Sequence, residues 1–285
     1  MIFYTLPPLD VSYPYVLINA NRPELGLMYL RRHSGNVSMV IVDSGVEVFR
    51  DPEFREYPGG AMHWMTRLIR LYYKARSIAR GANVYVTVND YPDDYHPKSL
   101  WLGDHKTNIE RTVANVEVAV NKYTDVKWLI PVQGWSRRPE SLVRSLEYYL
   151  RMGVLERYDY LAVANLCVEP DVKIIHASLD VVNKWLESHG FVKRIHVFGL
   201  KINVLRSLKR EIYSFDSFAW TKPVSGRLHD MYPYSAKNSQ QRRLFFCEYI
   251  RRLARKYRVK IPTHTLEACR DTVIPHDEKQ QSLPL

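Results

Sequence analysis

Three aspartates stand at matching places along this chain, each closing a short apolar run. Asp43 ends Val40-Ile41-Val42 and opens Asp-Ser-Gly, Asp90 ends the run 84–89 and precedes Tyr91-Pro92, and Asp216 follows Ile212-Tyr213-Ser214-Phe215. Apolar runs of this length read as buried parallel strands, and carboxylates at their C-terminal ends point into one shared mouth. A carboxylate there costs free energy unless it has a partner or chemistry to perform. Three together therefore suggest acid–base or nucleophilic work at one site. Asp43 before Ser-Gly and Asp90 before Tyr-Pro also read as turn formers. Asp216 sits amid Phe215, Phe218 and Trp220 and does not. His196 lies within an apolar run and reads as a satisfied core residue rather than a ligand.

The elements that must position these residues alternate. Strands are expected at Tyr15–Ile18, Val37–Val42, Val84–Val88, Val126–Val132, Tyr160–Ala164, Ile195–Phe198 and Ile212–Phe215. Helices are expected at Pro23–Arg32, Met62–Arg80, Thr107–Lys122, Pro139–Leu150, from an N-cap at Ser178 to Leu186, around Asn203–Leu208, and at Ser239–Tyr257. This βα rhythm argues for parallel strands, in either a closed barrel or an open doubly wound sheet. No GxGxxG and no P-loop follows any strand. Polar residues follow several separate strands instead, which suits an α/β fold of the (β/α)8 TIM type, its site assembled from many loops. The eighth strand is either Ile2–Thr5 or a segment after Trp220. One barrel domain over 1–261, including the basic C-terminal helix, is followed by a polar tail over 262–285.

Charge and cysteine usage narrow the partners. The formal net charge is +11. A basic balance of this kind points to an anionic partner, nucleic acid ahead of a membrane surface. The three cysteines, Cys167, Cys247 and Cys269, are far apart and form no CxxC pair. They suggest no disulfide framework and no cysteine zinc site, which fits a reducing, cytoplasmic setting. No basic region precedes the early apolar residues, so no signal peptide is expected. No apolar run approaches the roughly 20 residues of a membrane helix.

Taken in order, the strand ends read Asp-Ser-Gly, Asn-Asp-Tyr-Pro, Val-Gln-Gly, His-Val-Phe-Gly-Leu and Phe-Asp-Ser. This succession resembles the tRNA-guanine transglycosylase superfamily, especially its archaeal branch, over about residues 37 to 220. The resemblance implies base exchange at a guanosine. Asp216 would be the nucleophile that attacks the sugar C1′, and a covalent glycosyl-aspartate would form as guanine leaves. A 7-deazaguanine base would then take the sugar back. Asp43 would move protons on the leaving and entering bases, and Ser44 would support it or the base. Asp90 would hold the guanine edge, and Gln133 with the Gly134 backbone would bond other polar atoms of the base. No cofactor is implied. Chemistry agrees independently, because two carboxylates on one sugar are the retaining glycosidase arrangement and a stacked guanine must first be turned out.

Members acting on tRNA carry a Cys-x-Cys-x-x-Cys zinc motif with a following His just after the barrel. This chain has no such motif between Trp220 and Leu285. The barrel thus resembles the DNA-acting branch and is expected to lack a zinc-binding subdomain. DNA is the expected polymer, with tRNA the alternative substrate and a helper protein that opens the nucleic acid a possible partner. A non-catalytic nucleic-acid-binding relative and a sugar hydrolase using the same aspartates are the other readings. Backbone contacts are expected from Arg137 and Arg138 near the mouth. They are also expected from Arg242, Arg243, Arg251, Arg252 and Arg255, which cluster with Lys256 and Arg258 on the basic helix. Trp135 and Tyr91 are candidates to stack on bases.

Overall fold

Strands and helices alternate around a barrel in the computed structural model, which describes residues 1–51, 53–93, 107–208, 210–221, 235–257, 259–270 and 272. The strands are β1 (Ile2–Tyr4), β2 (Tyr15–Asn19), β3 (Met39–Asp43), β4 (Asn83–Thr87), β5 (Trp128–Val132), β6 (Tyr160–Val163), β7 (Arg194–Val197) and β8 (Ser214–Asp216). All eight lie in one sheet in the order β1-β8-β7-β6-β5-β4-β3-β2, each pair parallel. The seam between β1 and β2 is joined at Thr5. Its N–H donates to the Tyr15 carbonyl at 3.4 Å, and its own carbonyl accepts from the Leu17 N–H at 2.8 Å. The fold is therefore the (β/α)8 barrel and not an open sheet. The eighth strand is the N-terminal Ile2–Tyr4.

The helices are α1 (Pro23–His33), α2 (Ala61–Ile78), α3 (Asn108–Lys122), α4 (Leu142–Arg151), α5 (Val154–Arg157), α6 (Val172–Ser188), α7 (Ile202–Leu205), α8 (Ser239–Lys256) and α9 (Thr263–Ala268). Local chemistry sets their starts. Pro23 opens α1, where a missing N–H costs nothing. Thr107 and Glu110 form a reciprocal capping box on α3, and Asn238 accepts from the Gln241 N–H at 2.9 Å to cap α8. Ser178 is not an N-cap. Helix α6 begins six residues earlier, with Asp171 accepting from the Lys173 N–H at 2.9 Å, and Ser178 is buried within it.

Strand alternation splits the core in two. Ile2, Tyr4, Leu17, Met39, Ile41, Tyr85, Leu129, Tyr160 and Ala162 form a cluster of their own, the barrel lumen. The intervening residues, such as Phe3, Val16, Val40, Val42 and Phe215, pack outward against the helices. At the strand-start end of the lumen, the Arg194 guanidinium lies 4.7 to 5.4 Å from the ring centres of Tyr85, Tyr160 and Tyr213. Stepping by two along each inward row leads to Asn19, Asp43 and Asp216 at the opposite mouth.

Two expectations about the C-terminal region change. Cys247 on α8 and Cys269 are joined by a disulfide with a Cα–Cα distance of 5.2 Å. Cysteine usage therefore does not point to a reducing compartment. The fold also continues past residue 261. Helix α9 returns along α8, and Thr265 Oγ1 donates to the Ser12 carbonyl at 3.0 Å. Residues 271 and 273–285 of the expected tail lie outside the described residues. Among the described residues no helix is long and apolar enough to cross a membrane.

Candidate active site

The mouth of the barrel holds a cavity of about 270 Å³, close to the lower end of small-ligand pockets, ~300 Å³. Asp43, Ser44, Asp90 and Asp216 all line it, so carboxylates far apart in the chain do meet around one hollow. Glu47 is a fourth acid on its wall, and Arg50 and Lys201 supply cations.

Asp216 ends β8 and is nearly buried. Its Oδ1 accepts from the Gly199 N–H at 3.0 Å and lies 3.1 Å from His196 Nε2. On the other ring nitrogen, His196 Nδ1 is 2.8 Å from Ser214 Oγ, which is itself 2.6 Å from the Tyr160 hydroxyl. Serine, histidine and aspartate are thus in contact, but Ser214 and His196 are both 0% exposed in the barrel core. No substrate reaches that serine, so the trio is not a hydrolase triad.

Asp43 ends β3 in register with Asn19 of β2 and keeps part of its surface open to the cavity. Burial pushes its carboxyl well above the ordinary carboxylate range. The charges of Glu47, Asp216 and Asp90 push the same way, against a weaker opposing hydrogen bond from Gly45. Glu47 stands on a short 3₁₀ turn after Gly45, whose left-handed backbone (φ +81) turns the chain back. Asn19 and Asn21 both donate to Glu47 Oε2, which fixes that acid beside Asp43.

Asp90 is held by the protein on both oxygens. Ser44 Oγ donates to Oδ1 at 2.8 Å and Gln133 Nε2 to Oδ2 at 3.2 Å. Asp90 also lines the cavity, so its carboxylate lies within reach of a ligand there. The loops around it are tied down by Tyr57 OH on the Asp90 carbonyl and Trp64 Nε1 on the Ser44 carbonyl, each at 2.7 Å. Asn165, in the left-handed region at φ 60, donates to the Gly134 carbonyl and accepts from the Asp93 N–H at 3.1 Å. That one side chain pins the loops after three strands together.

Several expected ligand contacts are used within the protein instead. Gln133 is fully buried behind Asp90, where Nε2 also donates to the Tyr91 carbonyl at 2.8 Å. The Gly134 N–H donates to Gln133 Oε1 at 3.3 Å, and neither residue lines the cavity. Both support Asp90 and do not present groups to a base. Tyr91 is a core ring packed on Phe49 and Tyr57, with its hydroxyl on Glu56, and it offers no stacking face. The Trp135 ring has the guanidinium groups of Arg138 and Arg144 near it, at 5.9 and 4.4 Å from its centre.

The arginines divide similarly. Arg137 adopts a left-handed backbone and pairs with Glu169 at 3.1 Å and Asp171 at 3.7 Å. Arg242 covers the Trp220 ring at 5.3 Å. Arg243 binds Asp10 at 3.1 Å and the Ala268 carbonyl at 2.8 Å. Arg251 donates to the carbonyls of Cys269 and Thr272. These last two anchor the C-terminal segment to α8, so a phosphate role for them is not what their geometry favours. Arg252 is half-buried and Arg255 exposed. Arg258 lies outside the described residues.

Glu47, His196, Gly199, Arg50 and Lys201 were not singled out as site residues by sequence reading. A signal existed for Glu47, an acid four residues after Asp43 across a glycine turn. For His196 it was the even spacing that puts it on the inward row of β7. Among the described residues no three His, Cys, Asp or Glu side chains converge as a metal site. A comparison with protein-family models and with curated proteins gives no match to this sequence.

Proposed function

We propose that this chain is a base-exchange transglycosylase that replaces guanine in DNA with a 7-deazaguanine derivative through a covalent glycosyl-aspartate. The observation that carries this reading is the meeting of Asp43, Asp90 and Asp216 in one nucleoside-sized cavity. Their environments separate their roles. Asp43 is pushed toward its protonated form by burial and by neighbouring acids, while Asp216 is oriented by the Gly199 N–H on its Oδ1.

In the first step Asp216 Oδ2 bonds to the sugar C1′ as the C1′–N9 bond breaks, and the departing guanine takes the proton of the Asp43 carboxyl. In the second, the incoming base returns its N9 proton to Asp43 while N9 bonds to C1′ and the ester C–O bond breaks. Asp216 is regenerated as a carboxylate, and two inversions give net retention. Asp90 accepts from the N–H groups of the guanine edge. Arg50 and Lys201 at the cavity wall contact the phosphates flanking the everted nucleotide.

Incubating the protein with a 7-deazaguanine base and either DNA or tRNA, then digesting to nucleosides for mass analysis, tests the reading. Deazaguanine nucleoside is expected from DNA. Product from tRNA alone moves the assignment to the tRNA reaction, and a free abasic sugar with no exchanged base indicates a hydrolase.

A further inference from the structure

The buried imidazole of His196 lies behind the Asp216 carboxylate and does not touch the cavity. We propose that His196 is a positioning residue: it fixes the rotamer of Asp216 so that Oδ2 alone faces the reacting carbon. This inference rests on the transglycosylase reading.

The geometry contains a direction. Tyr160, Ser214, His196 and Asp216 form a chain of contacts at 2.6, 2.8 and 3.1 Å. With a neutral imidazole its hydrogens can run two ways. If Nδ1 carried the only ring proton, the Nε2 lone pair would face Asp216 Oδ1, lone pair against carboxylate. The favourable direction has Tyr160 donating to Ser214, Ser214 donating to Nδ1, and Nε2–H donating to Asp216. The rings of Tyr4, Tyr160 and Phe198 pack around the imidazole, with centroids at 5.9, 6.3 and 5.1 Å, and leave it no freedom to flip.

Both donors that reach Asp216, Nε2–H of His196 and the Gly199 N–H, converge on Oδ1. Among the described residues no donor reaches Oδ2. The carboxylate is therefore divided into a held oxygen and a free one. When Oδ2 bonds to C1′, Oδ1 becomes the ester carbonyl oxygen. The same two N–H groups then face the atom on which charge returns as the sugar departs, the placement that lowers the barrier to the second step.

A nitrogen-15 spectrum and three variants test the proposal. Nitrogen-15 resonances of His196 in the unmodified chain are expected to show a protonated Nε2 and an unprotonated Nδ1; the inverse tautomer overturns the proposal. His196→Leu is expected to lower kcat for base exchange roughly 10- to 100-fold, the range for losing one hydrogen bond to a charged group, with KM nearly unchanged. His196→Gln, whose amide N–H reaches the same side, is expected to recover most of that loss. An unchanged kcat in His196→Leu, or a KM that moves as far as kcat, overturns the proposal. Should His196→Leu fail to fold, Ser214→Ala decides. It keeps the imidazole but frees Nδ1, and a kcat equal to that of the unmodified chain overturns the proposal. Absence of exchange by the unmodified chain, with the expected tautomer present, instead defeats the transglycosylase reading and leaves the orientation of Asp216 standing.

Discussion

Gly199 and Asp216 are joined by one hydrogen bond, from the backbone N–H of the first to Oδ1 of the second at 3.0 Å. Gly199 makes it from a left-handed backbone at φ +61, packed against Cys167 so closely that a Cβ would lie 2.6 Å from Sγ and 2.8 Å from the Cys167 Cα. A backbone atom cannot yield as a flexible side chain does. Gly199→Ala is therefore expected to cost about 1–3 kcal/mol of stability and to pull the N–H away from Asp216. Chemical denaturation should show the loss, and base exchange should fall further than the folded fraction does.

Asp43 makes stability depend on pH with a definite sign. Burial and the charges of Glu47, Asp216 and Asp90 raise its folded-state proton affinity above that of the unfolded chain. Between those two values the folded form holds a proton that the unfolded form has lost. Stability is thus full below the ordinary carboxylate range and falls as pH rises through the window, by up to about 1.4 kcal/mol per unit. Asp43→Asn is expected to remove this slope and to raise the thermal midpoint at neutral pH, while exchange drops by at least about 100-fold for want of a proton carrier. Thermal melts across pH on both chains check the sign. A midpoint that rises with pH in the unmodified chain, relative to the variant, contradicts it.

The loss expected at Asp90 is one of recognition. Its two oxygens accept from Ser44 and Gln133, and the residue lines the cavity. Asp90→Asn keeps the shape but turns one acceptor into a donor. Oδ1 of the amide has to face Gln133, and the NH₂ group faces Ser44, whose hydroxyl can turn to accept. The charge that accepts from a guanine edge is gone, so kcat/KM is expected to fall roughly 10- to 100-fold, mainly through KM. Steady-state exchange at varied nucleic-acid concentration separates the two constants.

The Cys247–Cys269 disulfide ties α9 to the outside of the barrel across a sequence separation of 22. Closing a loop of that length stabilises by about 3 kcal/mol in the chain-entropy account. Reduction, or Cys269→Ser, is expected to lower the thermal midpoint by about 6 °C, at roughly 2 °C per kcal/mol for a chain of this size. Exchange by the protein that remains folded should not change, because Cys247 is buried outside the barrel lumen. A midpoint unmoved by reductant shows that the two thiols are not joined.

Period and punctuation made most of the barrel legible. Val40-Ile41-Val42-Asp43 and Phe215-Asp216 read as strand ends because short apolar runs stop at a polar residue, and the mouth of a parallel barrel is where such ends meet. Asp43, Ser44, Asp90 and Asp216 were legible for that reason. Ile2–Tyr4 was only one of two candidate strands, since three residues carry too little pattern. Gln133 and Gly134 lie at the right strand end, yet position along a strand does not say whether a polar group faces ligand or neighbour. Here Asp90 claims the Gln133 amide. His196 reads as core from its apolar run, and its burial is complete; its contact with Asp216 depends on the β7–β8 register, which no local pattern encodes. The disulfide was missed for the same reason, because Cys247 and Cys269 meet only after α9 folds back on α8.

In the proposed reaction Asp216 bonds covalently to the sugar from which guanine departs. Mixing the protein with a guanine-containing oligodeoxynucleotide, quenching under denaturing conditions and mapping the cross-linked peptide by mass spectrometry tests it directly. A DNA–protein adduct at Asp216 is expected, discharged by added 7-deazaguanine base and absent from Asp216→Asn. Base exchange that proceeds with no adduct, or an adduct that persists in Asp216→Asn, contradicts it.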